Sequence, residues 1–262
     1  GIVLAGTEGS GVFRSSDNGA SWIQVSSGFS TTTVWSLAVN ASGHVFAGTN
    51  GSGVFRSTDN GASWISINIG LANSVVRAFA INAAGSIFAG TDDRVFRSND
   101  NGSTWAATYS GLPWNMVWSL AINTAGSVFA GLYGGGVYRS ADNGSSWVSA
   151  NTGLVASLVF GVTTSHGKMF AAVSGGGVFR STDGGGSGTS VVAGMSNLGA
   201  QSFAVNASGH LFVGTSDGVF RSIDDGDSWS FSGTGLTGAT VRALAVNASG
   251  HLFAGTISNG IY

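Results

Sequence analysis

The stretch Ser57-Thr58-Asp59-Asn60-Gly61-Ala62-Ser63-Trp64 decides how the rest of the chain is interpreted, because versions of it occur six times. Successive copies start 41 or 42 residues apart, at Ser15, Ser57, Ser98, Ser140, Ser181 and Ser222. A fixed period near 40 residues is typical of a tandem array of small supersecondary units. The sequence therefore predicts a repeat architecture that covers the whole chain.

Each residue type in this stretch suits a tight turn that leads into a strand. The Asp side chain can accept hydrogen bonds from its own turn, and the Gly two positions later tolerates a positive φ. The Trp begins the next strand as a large apolar side chain. The fifth copy has Gly188 in place of the Trp, so we expect it to pack most loosely. The predicted structural residues are Asp17, Asp59, Asp100, Asp142, Asp183 and Asp224, with Trp22, Trp64, Trp105, Trp147 and Trp229.

The residues around the turn predict four short strands in each repeat. Short runs rich in β-branched and aromatic residues cover 34–39, 44–49, 53–57 and 64–67, and turn residues separate them. No segment has the 3.6-residue periodicity of a helix. Four antiparallel strands in about 40 residues are one blade of a β-propeller. We name the strands A (inner) to D (outer) and expect one propeller domain over residues 1–262.

The number of blades depends on how the two ends of the array are interpreted. Strands A and D each occur six times, whereas strands B and C each occur seven times. Seven blades would use every strand, with the first and last blades incomplete. Six blades would leave one B and one C strand redundant. We favour seven, because unpaired apolar strands such as Ile2-Val3-Leu4 are an aggregation hazard, and keep six as the alternative.

Composition excludes several classes of function. Charged residues make up 8% of the chain and the formal net charge is −2, so a basic nucleic-acid footprint is absent. No apolar run approaches the ~20 residues of a membrane helix. There is no Cys, which excludes disulfides and thiolate chemistry. The chain starts inside a repeat, so we expect no signal peptide in it, and its low charge with abundant Gly, Ser and Asn favours an extracellular or cell-surface location.

The pattern Ser-x-Asp-x-Gly-x-Ser/Thr-Trp resembles the Asp box, also called the bacterial neuraminidase repeat. The resemblance implies a β-propeller related to the sialidases. It implies little about function, because Asp-box propellers include sialidases, xyloglucan-degrading enzymes, receptors and assembly factors. Fold alone does not supply function.

Catalytic residues of the sialidase type are poorly represented. The resemblance would require an arginine triad and a Tyr nucleophile paired with Glu, but the only Glu is Glu8. Six Arg recur in strand C of successive repeats, which indicates a structural role: Arg14, Arg56, Arg97, Arg139, Arg180 and Arg221. A glycosidase needs two nearby carboxylates, and those in the B–C loops, expected on one face, are Glu8, Asp92, Asp93 and Asp217.

The positions at which the repeats differ give the candidate ligand site. The second residue of strand A varies strongly between repeats, and strand A starts at the face that carries the D–A and B–C loops. Aromatic rings with Arg and Gln at a channel mouth suit stacking on a sugar or a peptide, although bulky residues could also simply plug the channel. The predicted ligand-binding residues are Trp35, Arg77, Trp114, Trp118, Tyr133, Phe160, Gln201 and Arg242.

No metal site or cofactor is predicted. His44, His210 and His251 recur in A–B turns of separate blades and no Cys assists them, so a zinc site is not indicated. The sequence as a whole predicts a non-catalytic binding or scaffold propeller whose partner is a protein or glycan, with no nucleic acid and no membrane insertion. The alternative is a carbohydrate-active protein, either a lectin or a glycoside hydrolase, that uses the channel-mouth face.

Overall fold

The computed structural model describes residues 1–154 and 158–262 and is built from short β-strands. In chain order these are β1 Val3–Gly6, β2 Val12–Ser15, β3 Ile23–Gln24, β4 Val34–Val39, β5 Val45–Thr49, β6 Val54–Ser57, β7 Ile65–Ser66, β8 Val76–Ile81, β9 Ile87–Thr91, β10 Val95–Ser98, β11 Ala106–Thr108, β12 Val117–Ile122, β13 Val128–Leu132, β14 Gly136–Ser140, β15 Val148–Ser149, β16 Val159–Ser165, β17 Lys168–Val173, β18 Gly177–Ser181, β19 Thr189–Ser190, β20 Ser202–Val205, β21 Leu211–Thr215, β22 Gly218–Ser222, β23 Ser230–Phe231, β24 Val241–Val246 and β25 Leu252–Thr256.

Consecutive strands pair antiparallel to form the predicted A–B–C–D sheets. Five sheets have four strands: β4–β7, β8–β11, β12–β15, β16–β19 and β20–β23. The first sheet has three strands, β1–β3, and the last has two, β24–β25. Strand A is consistently paired to B, as in Leu37 opposite Ala47, and C is paired to D, as in Phe55 opposite Ser66.

The prediction of seven blades is wrong, and the six-bladed alternative describes the structure better. In the described residues, no strand A pairs with β1, and β25 is followed only by a bridge between Gly255 and Ile261. The two end sheets therefore do not each make a blade. The strands that they contain add about one blade to the five complete ones.

Two compact units divide the chain: residues 1–120 with 141–147, and residues 121–140 with 148–262. In the first unit one apolar cluster includes Phe46, Ile87, Phe96 and Trp105, all at most 5% exposed. In the second unit a corresponding cluster includes Phe170, Leu211, Phe220 and Trp229. These residues come from strands B and C and from the turns between strands C and D, called box turns, of adjacent sheets. Adjacent sheets share such clusters because a blade of about 40 residues cannot bury enough apolar surface alone.

The box turn has the same hydrogen bonds in successive copies. In the second copy, Asp59 Oδ1 accepts bonds from the Ser57 hydroxyl at 2.7 Å and the Ser63 N–H at 2.9 Å. Asp59 Oδ2 accepts the Ser63 hydroxyl at 2.6 Å. Asn60 and Gly61 both have positive φ, at 58° and 85°. Asn tolerates this left-handed conformation better than most residues with a Cβ, and Gly adopts it without strain, which explains the Asn-Gly pair.

The box Trp ties its sheet to the sheet before it. The indole N–H of Trp64 donates to Val25 O at 2.9 Å, and that of Trp105 donates to Ile67 O at 2.8 Å. Trp229 makes the same bond to Val191 O at 2.8 Å. Trp22 differs: its indole N–H donates to Gly19 O of its own turn at 3.1 Å, and its side chain is only half-buried.

Three of the repeated Arg of strand C, Arg56, Arg97 and Arg180, tie their sheet to the box turn of the sheet after it. Arg56 Nη1 donates to Asn101 O at 2.7 Å, and Arg180 Nη1 donates to Asp225 O at 2.8 Å. Arg97 makes the equivalent bond to the next box turn at 2.5 Å. These contacts give the repeated Arg the structural role that its recurrence indicates.

The fifth box turn keeps its hydrogen bonds although it lacks the Trp. Asp183 accepts bonds from the Ser187 N–H at 2.9 Å and the Ser187 hydroxyl at 2.7 Å, and Ser181 caps the turn as in the other copies. Gly188 lies next to Leu154 of the preceding sheet, where an indole would stand in other repeats. The looser packing expected for this blade stays a prediction.

Candidate functional site

The candidate site in the first unit is built around Arg77, the second residue of strand β8. Its guanidinium carbon lies 5.4 Å from the ring centre of Trp35 in β4 and 4.9 Å from that of Trp118 in β12. All three residues occupy the same position in successive A strands, so the repeat spacing itself stacks them. A guanidinium within about 6 Å of an aromatic centre gains cation–π attraction, which is larger when the contact is shielded from water.

Asp92 fixes the orientation of the Arg77 guanidinium. Both carboxylate oxygens of Asp92 accept hydrogen bonds from Arg77, one from Nε and the other from Nη2, the latter at 3.2 Å. The Arg77 side chain is 15% exposed, whereas that of Asp92 is 31% exposed. A two-pronged Arg–carboxylate pair holds a fixed geometry, so the stack is rigid before any ligand arrives.

A second guanidinium, that of Arg94, is paired with the next acidic residue through a hydrogen bond from Nε. Arg94 Nε donates to Asp93 Oδ2 at 3.0 Å. Its guanidinium carbon lies 3.8 Å from the ring centre of Trp114 and 5.0 Å from that of Tyr109. The backbone N–H of Asn115 also donates to Asp93 O at 3.2 Å, which joins the D–A loop to the B–C loop.

We call these eight residues the arginine–aromatic cluster: Trp35, Arg77, Asp92, Asp93, Arg94, Tyr109, Trp114 and Trp118. Its two arginines are mostly buried, but several of its rings face solvent. Trp114 is 73% exposed, Tyr109 49% and Trp35 39%. Exposed rings backed by fixed charges form flat, preorganised surfaces on which a ligand can stack.

Asp92 and Asp93, two of the four carboxylates considered for hydrolysis, each bind a guanidinium. Asp217, in the second unit, accepts a hydrogen bond from the backbone N–H of Gly238 at 2.5 Å. The structure thus gives a structural partner to three of the acids singled out from the sequence.

The other predicted ligand residues lie in the second unit and form two pairs. The rings of Tyr133 and Phe160 are 6.2 Å apart at 55°. Arg242 Nη1 donates to Gln201 Oε1 at 3.1 Å. Like the stack in the first unit, each pair joins neighbouring sheets, which follows from the position of these residues in the repeat.

Sequence reasoning missed the contribution of Arg94 and Tyr109. The signal was present in the B–C loop of the third repeat, which reads Asp92-Asp93-Arg94 where the second repeat has Asn50-Gly51-Ser52-Gly53. A charged loop in place of a Gly-rich one marks a repeat with its own contacts. The sequence around Tyr109 has no comparable feature, because its contact with Arg94 of the B–C loop is recognisable only in the folded chain.

Two histidines contact side chains in the box turn of the following sheet. His44 Nδ1 is 2.8 Å from Nδ2 of Asn101, and His166 Nδ1 is 2.8 Å from Asp225 Oδ1. No group of three or more His, Asp or Glu side chains arranged to hold a metal ion occurs in the described residues. In the same parts of the chain, no helix is long and apolar enough to cross a membrane.

Neither the protein-family models nor the curated proteins include a match to this sequence. Solved structures do match. The extracellular domain of BT4673 from B. thetaiotaomicron superposes over 100% of this chain with a TM-score of 0.82 and 16% identity. PorZ, a surface component of the type-IX secretion system of Porphyromonas gingivalis, superposes over 99% with a TM-score of 0.76 and 18% identity. YCF48, solved with D1 peptide bound, superposes over 97% with a TM-score of 0.75 and 17% identity.

The chain spans 36% of the BT4673 chain and 44% of the PorZ chain, but 86% of the YCF48 chain. Identities this low show the fold and not the function. Together with the four-stranded antiparallel sheets, the matches establish that this chain has the β-propeller fold.

Proposed function

We propose that this chain is a non-catalytic binding module and that its arginine–aromatic cluster contacts the ligand. The observation that carries the proposal is the exposure of Trp114, Tyr109 and Trp35 above two guanidiniums that are already paired with carboxylates. Aromatic residues that merely fill a core would be buried. Arginines whose role is to bind a charged ligand would have no carboxylate partner of their own. Large aromatic side chains lose little conformational entropy on binding and are characteristic of binding hot spots.

The location and partners of the module follow from its neighbours and composition. The extracellular domain of BT4673 and the surface protein PorZ have the same fold, which supports an extracellular or cell-surface location. YCF48 binds a peptide, which supports a protein or peptide as partner. The net charge of −2 and the near absence of basic clusters favour neither nucleic acid nor a membrane surface as partner.

The box turns support membership of the Asp-box propellers. The Asp59 carboxylate bonds to the Ser63 N–H and hydroxyl in the turn between strands C and D, and the pattern recurs in successive repeats. The sialidase relationship that the resemblance implies is part of this proposal.

The alternative function is carbohydrate binding or cleavage, and the exposed tryptophans favour it specifically. An indole face packs against the apolar face of a sugar ring as readily as against a peptide side chain. A hydrolase would additionally need two carboxylates free to flank the scissile bond, whereas Asp92 and Asp93 are each engaged by an arginine.

An array experiment separates these functions. The labelled chain is applied to a glycan array and to a peptide array, with Trp114→Ala and Trp35→Ala as site variants. Ile223→Ala is the matched control, because Ile223 is 68% exposed but lies in a box turn outside the cluster. We expect binding that both Trp variants reduce at least about tenfold and the control keeps. Absence of any binding, or equal binding by all variants, would overturn the proposal.

Hydrolysis is tested on the same preparation with xyloglucan and sialoside substrates. The binding proposal predicts no product from the unaltered chain. Product formation that disappears in Asp92→Asn or Asp93→Asn would replace it with the glycosidase alternative.

A further inference from the structure

A cavity in the first unit lies beside strand β11, on the outer edge of its sheet, and Tyr109 is the one residue that it shares with the arginine–aromatic cluster. Its volume is about 330 Å³, and its lining residues are Arg97, Ala107, Thr108, Tyr109, Ser110, Gly144 and Ser145. This volume is at the lower end of the range found for small-molecule sites. The cavity separates the end of β11 from the box turn that holds Gly144 and Ser145.

The sequence of β11 distinguishes it from the other outer strands. It begins Ala106-Ala107, whereas the corresponding positions elsewhere hold Ile23-Gln24, Ile65-Ser66, Val148-Ser149, Thr189-Ser190 and Ser230-Phe231. In the last of these, the Phe231 ring packs at 5.5 Å against Phe220. The two methyl groups leave more room on the faces of β11 than the larger side chains do elsewhere. As with the other outer strands of the described chain, no further strand pairs with its edge.

The junction next to the cavity also has an unsatisfied donor that the other junctions lack. Trp147 is 3% exposed, and its indole N–H has no hydrogen-bond partner in the described residues. In other repeats the indole N–H donates to a backbone carbonyl oxygen of the preceding repeat, three residues after that repeat's box Trp position. Trp64 donates in this way to Val25 O, and Trp229 donates to Val191 O. For Trp147, in the fourth repeat, the residue at the acceptor position of that register is Thr108, which lines the cavity, whereas Trp147 itself is buried behind the lining.

The repeat pattern shows that this donor is specific to the junction. A buried Nε without a partner is common to Arg14, Arg56, Arg97, Arg180 and Arg221, so it marks no particular site. Trp147 is the one box Trp among the described residues with an unpartnered indole. A buried donor that lacks an acceptor is costly, and a ligand that supplies the acceptor removes this cost.

The charges around the cavity favour an uncharged ligand. Arg97 contributes one positive charge, and Asp142, in the same turn as Gly144 and Ser145, contributes one negative charge. The hydroxyls of Thr108, Ser110 and Ser145 and the ring of Tyr109 supply polar and flat surface without further charge. An amide carbonyl is a strong neutral acceptor, and an extended peptide can at the same time pair with the open edge of a strand.

We propose that the cavity beside β11 is a second binding site, which takes the backbone amides of an uncharged, extended peptide segment. The peptide lies along β11, and one of its carbonyl oxygens approaches the junction that holds Trp147. This site shares Tyr109 with the arginine–aromatic cluster but does not include Trp35 or Trp114, and the peptide contacts proposed here do not depend on those two rings.

The test uses N-acetyl-trialanine amide as the probe and the full chain labelled with ¹⁵N. Trp147→Phe assigns the indole N–H signal of Trp147. We expect saturable shifts of that signal and of the Ala107 amide. Ala107→Phe, which introduces the residue found at this position in β23, should weaken binding at least about tenfold by filling the cavity. Ala106→Ile, which introduces the residue found in β3 and β7, is the matched control and should bind normally, because Ala106 does not line the cavity.

Two results would overturn the proposal: no saturable shift of the Trp147 signal, or equal binding by Ala107→Phe and the unaltered chain. Trp35→Ala separates this proposal from the preceding one, because it should leave the probe's binding unchanged. Loss of probe binding in Trp35→Ala would place the peptide at the arginine–aromatic cluster instead.

Discussion

The indole N–H of Trp64 donates a hydrogen bond to the carbonyl oxygen of Val25, 39 positions earlier in the chain and in the preceding sheet. Trp64 is 4% exposed, so the same side chain contributes both apolar burial and a polar tie. This combination suits a side chain with a large apolar body and a single donor at one edge. The stability of a junction between sheets should therefore depend strongly on its Trp.

Replacing Trp64 separates these two contributions. Trp64→Ala should lower the free energy of unfolding by about 3–5 kcal/mol, through the lost apolar contacts and the cavity left behind. Trp64→Phe keeps much of the ring but leaves Val25 O without its donor, so we expect a loss of about 1–3 kcal/mol. Urea unfolding followed by circular dichroism measures both. Trp114→Ala, at an exposed position, is the control and should change stability by less than about 0.5 kcal/mol.

Acid should destabilise the fold through the box carboxylates. Hydrogen bonds from Ser21 and Ser15 lower the pKa of Asp17 to about 2, and those from Thr104 and Ser98 lower the pKa of Asp100 to about 2, from an ordinary value of 3.8. Hydrogen bonds from Ser228 and Ser222 do the same for Asp224. A carboxyl with a lowered folded-state pKa stabilises the fold above the unfolded value. That stabilisation is lost as the pH falls from about 4 to about 2.

Carboxyl ¹³C titration measures this effect residue by residue, with chemical unfolding at each pH as the second readout. Ser21→Ala removes the largest contribution and should raise the pKa of Asp17 towards 3.8. Asp100 is the internal control and should be unaffected. A pKa of Asp17 that stays near 2 in Ser21→Ala would show that another group stabilises the ionised carboxylate.

Lys168 should control the ionisation of Asp225. Asp225 Oδ2 accepts a hydrogen bond from Lys168 Nζ at 2.8 Å, and Oδ1 lies 2.8 Å from His166 Nδ1. These contacts, with Lys168 first, lower the pKa of Asp225 below its ordinary 3.8. Lys168→Met should raise this pKa and leave that of Asp17 unchanged, as ¹³C titration can show. No change at Asp225 would mean that the Lys168 contact does not persist in solution.

The stack around Arg77 should be rigid only while Asp92 is present. Asp92→Asn removes the charge that fixes the guanidinium, so Trp35 and Trp118 should sample more environments and their fluorescence anisotropy decay should quicken. We expect a loss of about 1–3 kcal/mol in unfolding free energy, as for a hydrogen bond to a charged group. Asp227→Asn is the control, because Asp227 also pairs with an arginine, at 2.6 Å, but is 67% exposed. It should cost less than about 1 kcal/mol.

The repeat made the sheets predictable. Asp59, Gly61 and Trp64 identify the turn between strands C and D, and their spacing fixes the order of strands in each repeat. This information is local, because each sheet forms from consecutive residues and each junction repeats the same contacts. The β-propeller fold was therefore accessible from the sequence, and the solved structures confirm it.

The number of blades and the composition of the candidate site were less accessible, for different reasons. The first concerns the ends of the array, where β1 and β25 have the pattern of inner repeats but lack a strand on one side. The second depends on deviations from the pattern. Trp35, Arg77 and Trp118 share a repeat position and could be grouped, whereas Tyr109 meets Arg94 only because two loops of irregular sequence fold together.

The two ties between sheets run in opposite directions along the chain. Trp105 reaches back to Ile67, and Arg56 reaches forward to Asn101, so one junction uses a donor from each of its two repeats. Each repeat therefore contains one half of the junction on either side of it. A gene duplication or deletion that adds or removes a whole repeat containing both residues leaves the new boundaries with both halves present. Propellers built in this way can change length by recombination without requiring a compensating mutation at the point of exchange.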